Sequence, residues 1–304
     1  MKKISLIGIM LVALIGSGVV LAAGNTQVYL PIIMRPPAEN PNKIIFSSDR
    51  DGLGIQLYTM NQDGSNVLRL TNNPGDNDEA KWSPDWNKIA FRSSKDGNLE
   101  VYIMNADGSG EIRLTNDPAN DGGPDWSPDG KQIVFASDRS GQYGLYIINI
   151  DDSNLHQIGS FYGFMPSWSQ DGKKIAFSDG YDIFTVNIDG TSLTNLTNAS
   201  LRDYSPEWSP DGTQIGFVGD LRGENVFVMP SNGGAITQLT HSTTAHCCYG
   251  GPSWRGDGKV IVYSDWVGPA WNNYEIFIFD IASNFATRIT NIAGSLENFP
   301  SFTP

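Results

Sequence analysis

Cysteine is almost missing from this sequence: Cys247 and Cys248 are the only two, and they are adjacent. No disulfide framework can therefore tie distant parts of the chain together, and the fold must rest on its core. A bond between the two would be a vicinal ring, far from common disulfide geometry. Three readings of the pair stay open: a vicinal disulfide, free or intermolecular thiols, or a metal site shared with His241 and His246, which adjacent cysteines fit poorly. Histidine is nearly as scarce, at 156, 241 and 246. That excludes a centre assembled from several histidines around a ring. Positive charge is short as well, with 20 Lys and Arg against 33 Asp and Glu and a net charge of −13. Such a surface repels phosphate backbones, so no nucleic-acid partner is expected. No Gly-x-Ser-x-Gly nucleophile elbow occurs. Beyond the N-terminal apolar run, no stretch is long enough to span a bilayer. Taken together, these absences predict no catalytic residue, no metal and no cofactor.

What is abundant is turn-forming residues and repetition. Gly and Pro number 33 and 17, a composition that suits an all-β chain rather than a helical one. Trp126-Ser127-Pro128-Asp129-Gly130 has looser copies beginning at Trp82, Trp168, Trp208 and Trp254, at steps of 44, 42, 40 and 46 residues. Pro presets the first corner of a turn and Gly accepts a positive φ at its end. A short β run follows each copy, as in Ile133-Val134-Phe135 and Ile89-Ala90-Phe91. Each copy thus reads as a hairpin turn, with Trp closing the first strand.

That strand occurs once more, as Lys43-Ile44-Ile45-Phe46, with no Trp before it. The missing half lies at the other end of the chain, where Phe302 stands in the place of Trp. Four short strands per unit of about 44 residues is the β-propeller pattern. The expectation is an all-β, six-bladed propeller over residues 42–304, its ring closed by the C-terminal strand completing the first blade. Trp82, Trp126, Trp168, Trp208, Trp254 and Phe302 are then scaffold.

Residues 1–23 read as a secretory signal: Lys2 and Lys3, an apolar run, and small residues near Ala22 and Ala23. Residues 24–41 read as a Pro-rich linker. The mature chain is therefore expected outside the cytoplasm, periplasmic or extracellular, monomeric and without a membrane span.

Trp-Ser-Pro-Asp-Gly, Ser48-Asp49-Arg50-Asp51-Gly52, Tyr102-Ile103-Met104-Asn105-Ala106-Asp107-Gly108 and Arg113-Leu114-Thr115 together resemble the WD40-like (PD40) repeat of TolB-type propellers. The resemblance covers about residues 42–304. It implies the propeller fold and an envelope setting. Only a linker precedes the first blade here, whereas TolB proper carries an α/β domain there.

Candidate ligand-binding residues fall on the face opposite the Trp turns. Counting five residues back from each Trp or Phe302 gives Asn77, Asp121, Gly163, Asp203, Tyr249 and Glu297, with Asp78 beside the first. These are expected to ring one channel mouth, as an acidic funnel for a cation or basic peptide or as caps for linker backbone. The sixth blade carries the irregular loops, with Cys247, Cys248 and Tyr249 in one and Trp266, Trp271 and Tyr274 in the other. Three large aromatics in a loop suit either contact with a ligand, such as stacking on sugar rings, or sealing of the ring. Two functions follow: a non-catalytic scaffold binding a protein or peptide of the cell envelope, or a carbohydrate-binding or carbohydrate-acting propeller.

Overall fold

Six antiparallel sheets of four strands each form a closed ring, the six-bladed propeller expected from the period. The structure is a computed structural model. It describes residues 43–303, apart from 199–201, 221–223, 243–249, 269–272 and 293, and the backbone of 12–15, 18–23 and 26–31. Among the described residues there is no helix.

Blade 3 shows the plan. Its strands are Asp121–Trp126 at the centre, Gln132–Ser137, Gly144–Asn149 and His156–Ile158 at the rim. The second and third strands are apolar along most of their length because a neighbouring blade covers each face. One hydrophobic cluster forms at each blade interface. The cluster between blades 2 and 3 joins Ala90, Val101 and Ile103 to Trp126, Ile133 and Phe135. The one between blades 6 and 1 joins Val260, Val262 and Ile276 to Ile44, Phe46 and Phe302. Ring closure is covalently staggered: Glu297–Phe302 pairs with Lys43–Ser48, so the last strand is the innermost strand of blade 1.

The repeat residues serve the blade itself. In the Trp turns, Ser127 Oγ and the Lys131 N–H both donate to Asp129 Oδ1. In the outer turns, Asp107 accepts from the Ser109 hydroxyl and N–H. Thr115 of Arg-Leu-Thr accepts from the Val101 N–H at the third strand. Trp126 Nε1 donates to the Lys81 carbonyl of the blade before it, and Trp208 and Trp254 do the same to Ser167 and Glu207.

The N-terminal residues form a separate unit, 1–41. Val12–Ile15, Gly18–Ala23 and Thr26–Pro31 make a three-stranded antiparallel sheet. Val28-Tyr29-Leu30 is a strand-forming run, and Pro31, which lacks an N–H, is the strand's last residue.

Candidate functional site

Five of the six inner strands carry a one-residue β-bulge, and the bulge decides what faces the channel. In blade 3 the register slips between Gly122 and Asp125. A residue of positive φ sits there in all six blades: Glu79, Gly123, Met165, Ser205, Gly251 and Phe299. A one-residue slip turns every side chain beyond it to the other face. The channel is lined by Glu79, Gly123, Met165, Ser205 and Phe299, by Gly250 and Pro252 of blade 6, and by Lys81, Glu207 and Ser301. Of the residues five positions before each Trp or Phe302, Asn77, Asp121, Asp203 and Glu297 are buried instead.

The predicted acidic mouth is thus a set of buried, largely paired groups. Asp121 is 1% exposed and bound by Arg139 at 2.7 Å. Glu297 is fully buried, accepts from Ser48 and Ser295, and is paired with Arg50. Asp78 takes both Nε and Nη2 of Arg92 at 2.8 Å. Asp203 is buried with Thr197 near it, and burial pushes its carboxyl up to about 6. In blade 6, Trp266 and Tyr274 pair across a hairpin rather than sharing a loop, and Tyr274 is buried. Strand pairing is the reason, since it shortens the connection to residues 267–273. Cys247, Cys248, Tyr249 and Trp271 lie outside the described residues.

The large cavity lies elsewhere. A cleft of about 1030 Å³ opens on the face of the linkers, chiefly over blades 4 and 5. Its apolar wall includes Phe161, Phe164, Phe184 and Met165, with Tyr162 and Tyr181 exposed. Its carboxylates are Glu79, Asp179, Asp220 and Glu224, against the guanidinium groups of Arg92 and Arg202. Arg92 is already held by Asp78 and by Glu79 at 2.9 Å. Burial pushes the Glu79 carboxyl up, against the pull of Arg92.

The cleft opens where the repeat is shortest. In blade 4 the second and third strands, Lys174–Ser178 and Ile183–Asn187, are joined by residues 179–182 alone. Blades 1 and 3 have Ser-Asp-Arg at this turn, and the arginine covers the blade's stacked aromatic pair. Arg50 lies 4.9 Å from the ring centres of Phe46 and Tyr58, and Arg139 5.4 and 4.9 Å from those of Phe135 and Tyr146. Blade 4 has Ser178-Asp179-Gly180 instead. Phe161, from the link before the blade, stacks on Phe177 at 4.8 Å, and Phe177 stacks on Phe184 at 5.6 Å. Gly163 stands where blades 1 and 3 have their buried acid. A Cβ there would fall 2.6 Å from the Phe177 ring. The 40-residue step from Trp168 to Trp208 and the lost arginine were the sequence signals for this site.

On the opposite face the channel narrows to a hollow of about 210 Å³ rimmed by Trp82, Trp168, Trp208 and Trp254. Between the two mouths Lys81 reaches across and pairs with Glu207.

Comparison with known proteins agrees with this architecture. The family model described as TolB beta propeller domain matches residues 70–182 and 155–304. A search of curated protein sequences finds no match. Among solved structures, TolB from Acinetobacter baumannii is similar with a TM-score of 0.76 and 20% identity, over 88% of this chain and 68% of that one. The putative TolB from Agrobacterium tumefaciens gives 0.66 and 16%, over 86% and 99%. A chain of the nidogen/laminin complex gives 0.67 and 11%, over 86% and 98%. At these identities the likeness concerns the fold.

Proposed function

The chain belongs to the TolB β-propeller domain family, and from that premise we propose that it is an exported, non-catalytic binding protein whose cleft docks a protein or peptide of the cell envelope. The cleft carries the reading. It is large, aromatic and bordered by both signs of charge, with its polar groups set on a rigid ring. Aromatic anchors with a charged rim are what protein interfaces use for affinity. Export rests on the charged, apolar and small-residue regions of residues 1–23. A monomer suffices for this role, since one chain closes the ring and builds the whole cleft.

The test is retrieval from a native envelope extract by the chain beginning at residue 24, beside a Tyr162→Ser/Tyr181→Ser variant. A partner identified by mass spectrometry should bind again as purified protein, and the double variant should lose it at unchanged melting temperature. Equal retrieval by both proteins would place the interface elsewhere. A glycan array with the same pair addresses the carbohydrate reading: sugar binding lost in the variant would replace the protein partner.

A further inference from the structure

The blades are copies of one unit, so each is a control for the others. In blades 1, 2 and 3 a cation of the chain lies over the stacked aromatic pair: Arg50, Lys95 and Arg139. In blades 1 and 3 its guanidinium also meets a carboxylate, Glu297 and Asp121. Blade 4 keeps the pair, Phe177 and Phe184, but among the described residues no cation of the chain covers it. Gly180 replaces the arginine, and the pair lines the open cleft. Phe161 covers Phe177, which leaves the Phe184 side facing the cavity beside Tyr181 and Asp179. The Asp179 carboxylate is fixed through Oδ1, which accepts the N–H groups of Tyr181 and Asp182, both at 2.9 Å. Asp179 and Asp220 are among the carboxylates lining this cleft, and the side chain of Arg202 stands at the ring of Tyr181, 5.9 Å from its centre.

We propose that blade 4 receives from outside the group that blades 1 and 3 supply themselves: a guanidinium, presented by an arginine of the docked peptide, lying against Phe184 and Tyr181 with Asp179 as its carboxylate. Arginine fits better than lysine. Its flat group stacks on rings while its edge binds a carboxylate, as Arg50 and Arg139 do in blades 1 and 3. The proposal rests on the reading of the cleft as a peptide-docking site and specifies one residue of the peptide.

The probe is acetyl-arginine-amide, titrated into ¹⁵N-labelled protein beside acetyl-citrulline-amide, its uncharged analogue. Saturable shifts should appear at the amides of Gly180, Tyr181 and Phe184. Citrulline should bind about tenfold more weakly, and so should Asp179→Asn and Tyr181→Ala toward arginine. Asp179→Asn keeps the Oδ1 acceptor, and equal melting temperatures would exclude a folding defect. Equal response to citrulline, or full binding by both variants, would overturn the proposal. A peptide library selected on the wild-type protein separates this from the broader reading. Selected peptides should be rich in arginine and lost with Asp179→Asn. Cleft-binding peptides without basic residues would reject the guanidinium site and leave peptide docking standing.

Discussion

Lys81 and Glu207 form an ion pair across the centre of the ring, from blade 2 to blade 5. Glu207 has no cation on its own strand, Asp203–Trp208. Asp125, on the blade next to Lys81, adds a second carboxylate to the same layer, and burial pushes it up to about 6 against the pull of Lys81. The layer also stitches neighbouring blades. Asp125 accepts the Trp168 N–H, Ser167 that of Trp208, Glu207 that of Trp254 and Ser253 that of Phe302. These N–H groups of the innermost strands thus find partners one blade away.

Lys81→Met should therefore strand two carboxylates. Removing one partner of a buried pair costs about 3–5 kcal/mol, and the partial exposure of both side chains here lowers that to about 2 kcal/mol. Without the cation the Asp125 carboxyl, already raised by burial, becomes a weaker acid still. The variant should lose stability at pH 8 and recover part of it at pH 5, where Asp125 can hold a proton. Chemical denaturation at the two pH values checks this. An equal deficit at both would mean that the aliphatic stem of Lys81, not its charge, was the contribution.

The wild type should itself be most stable near pH 4. Asp125, Asp203 and Asp265 are each pushed up to about 6, mainly by burial, from an ordinary value of 3.8. A raised carboxyl binds more protons folded than unfolded, so its contribution is present below 3.8 and is lost as pH rises through about 6. The turn aspartates work in the other direction. Ser and backbone hydrogen bonds hold Asp107, Asp129 and Asp189 below the usual range, and their contribution is lost as the pH falls through their lowered values. Melting temperature should thus fall on either side of a maximum between the two groups. Asp203→Asn should flatten the neutral side. A maximum at pH 8 would contradict this balance.

The fold was legible because the Trp turn recurs and each of its residues has a local task. Ring closure could be read from Phe302 alone, since an aromatic was needed there to complete the cluster with Ile44 and Val262. The channel lining was not legible. Counting five residues back from Trp assumes strict alternation, and the bulge at Gly123 and its four counterparts break it. The cleft comes from a deletion rather than from a long loop. A short turn leaves a space that only comparison between blades reveals, as when Gly180 is set against Arg50 and Arg139.

Arg139→Met should be among the more damaging single changes in blade 3. It leaves Asp121 buried with no counter-charge and uncovers Phe135 and Tyr146. A loss of about 3–5 kcal/mol is expected. Adding Asp121→Asn should restore a large part of it, because the amide removes the stranded charge while still meeting Ser137. A double-mutant cycle by urea denaturation measures the coupling. Additive losses would show that Arg139 acts through ring contact alone.

Deleting residues 297–304 should unfold the whole propeller rather than blade 1 alone. The segment supplies the innermost strand of blade 1, the ladder partners of Ile44, Ile45 and Ser48, and the carboxylate that holds Arg50. It also places Phe302 in the cluster between blades 6 and 1. Without it Lys43–Ser48 becomes an exposed apolar edge, open to pairing with other chains. Blade 6 at the same time loses the cover on its far face. Because each interface cluster is built from two blades, exposing one interface weakens the support of the next around the ring. Loss of cooperative unfolding, with aggregation on expression, is the expected result. Adding the peptide of residues 295–304 in trans should recover soluble protein if closure is the missing element. A truncated chain with a sharp melting transition near that of the wild type would show that five blades and an open edge suffice.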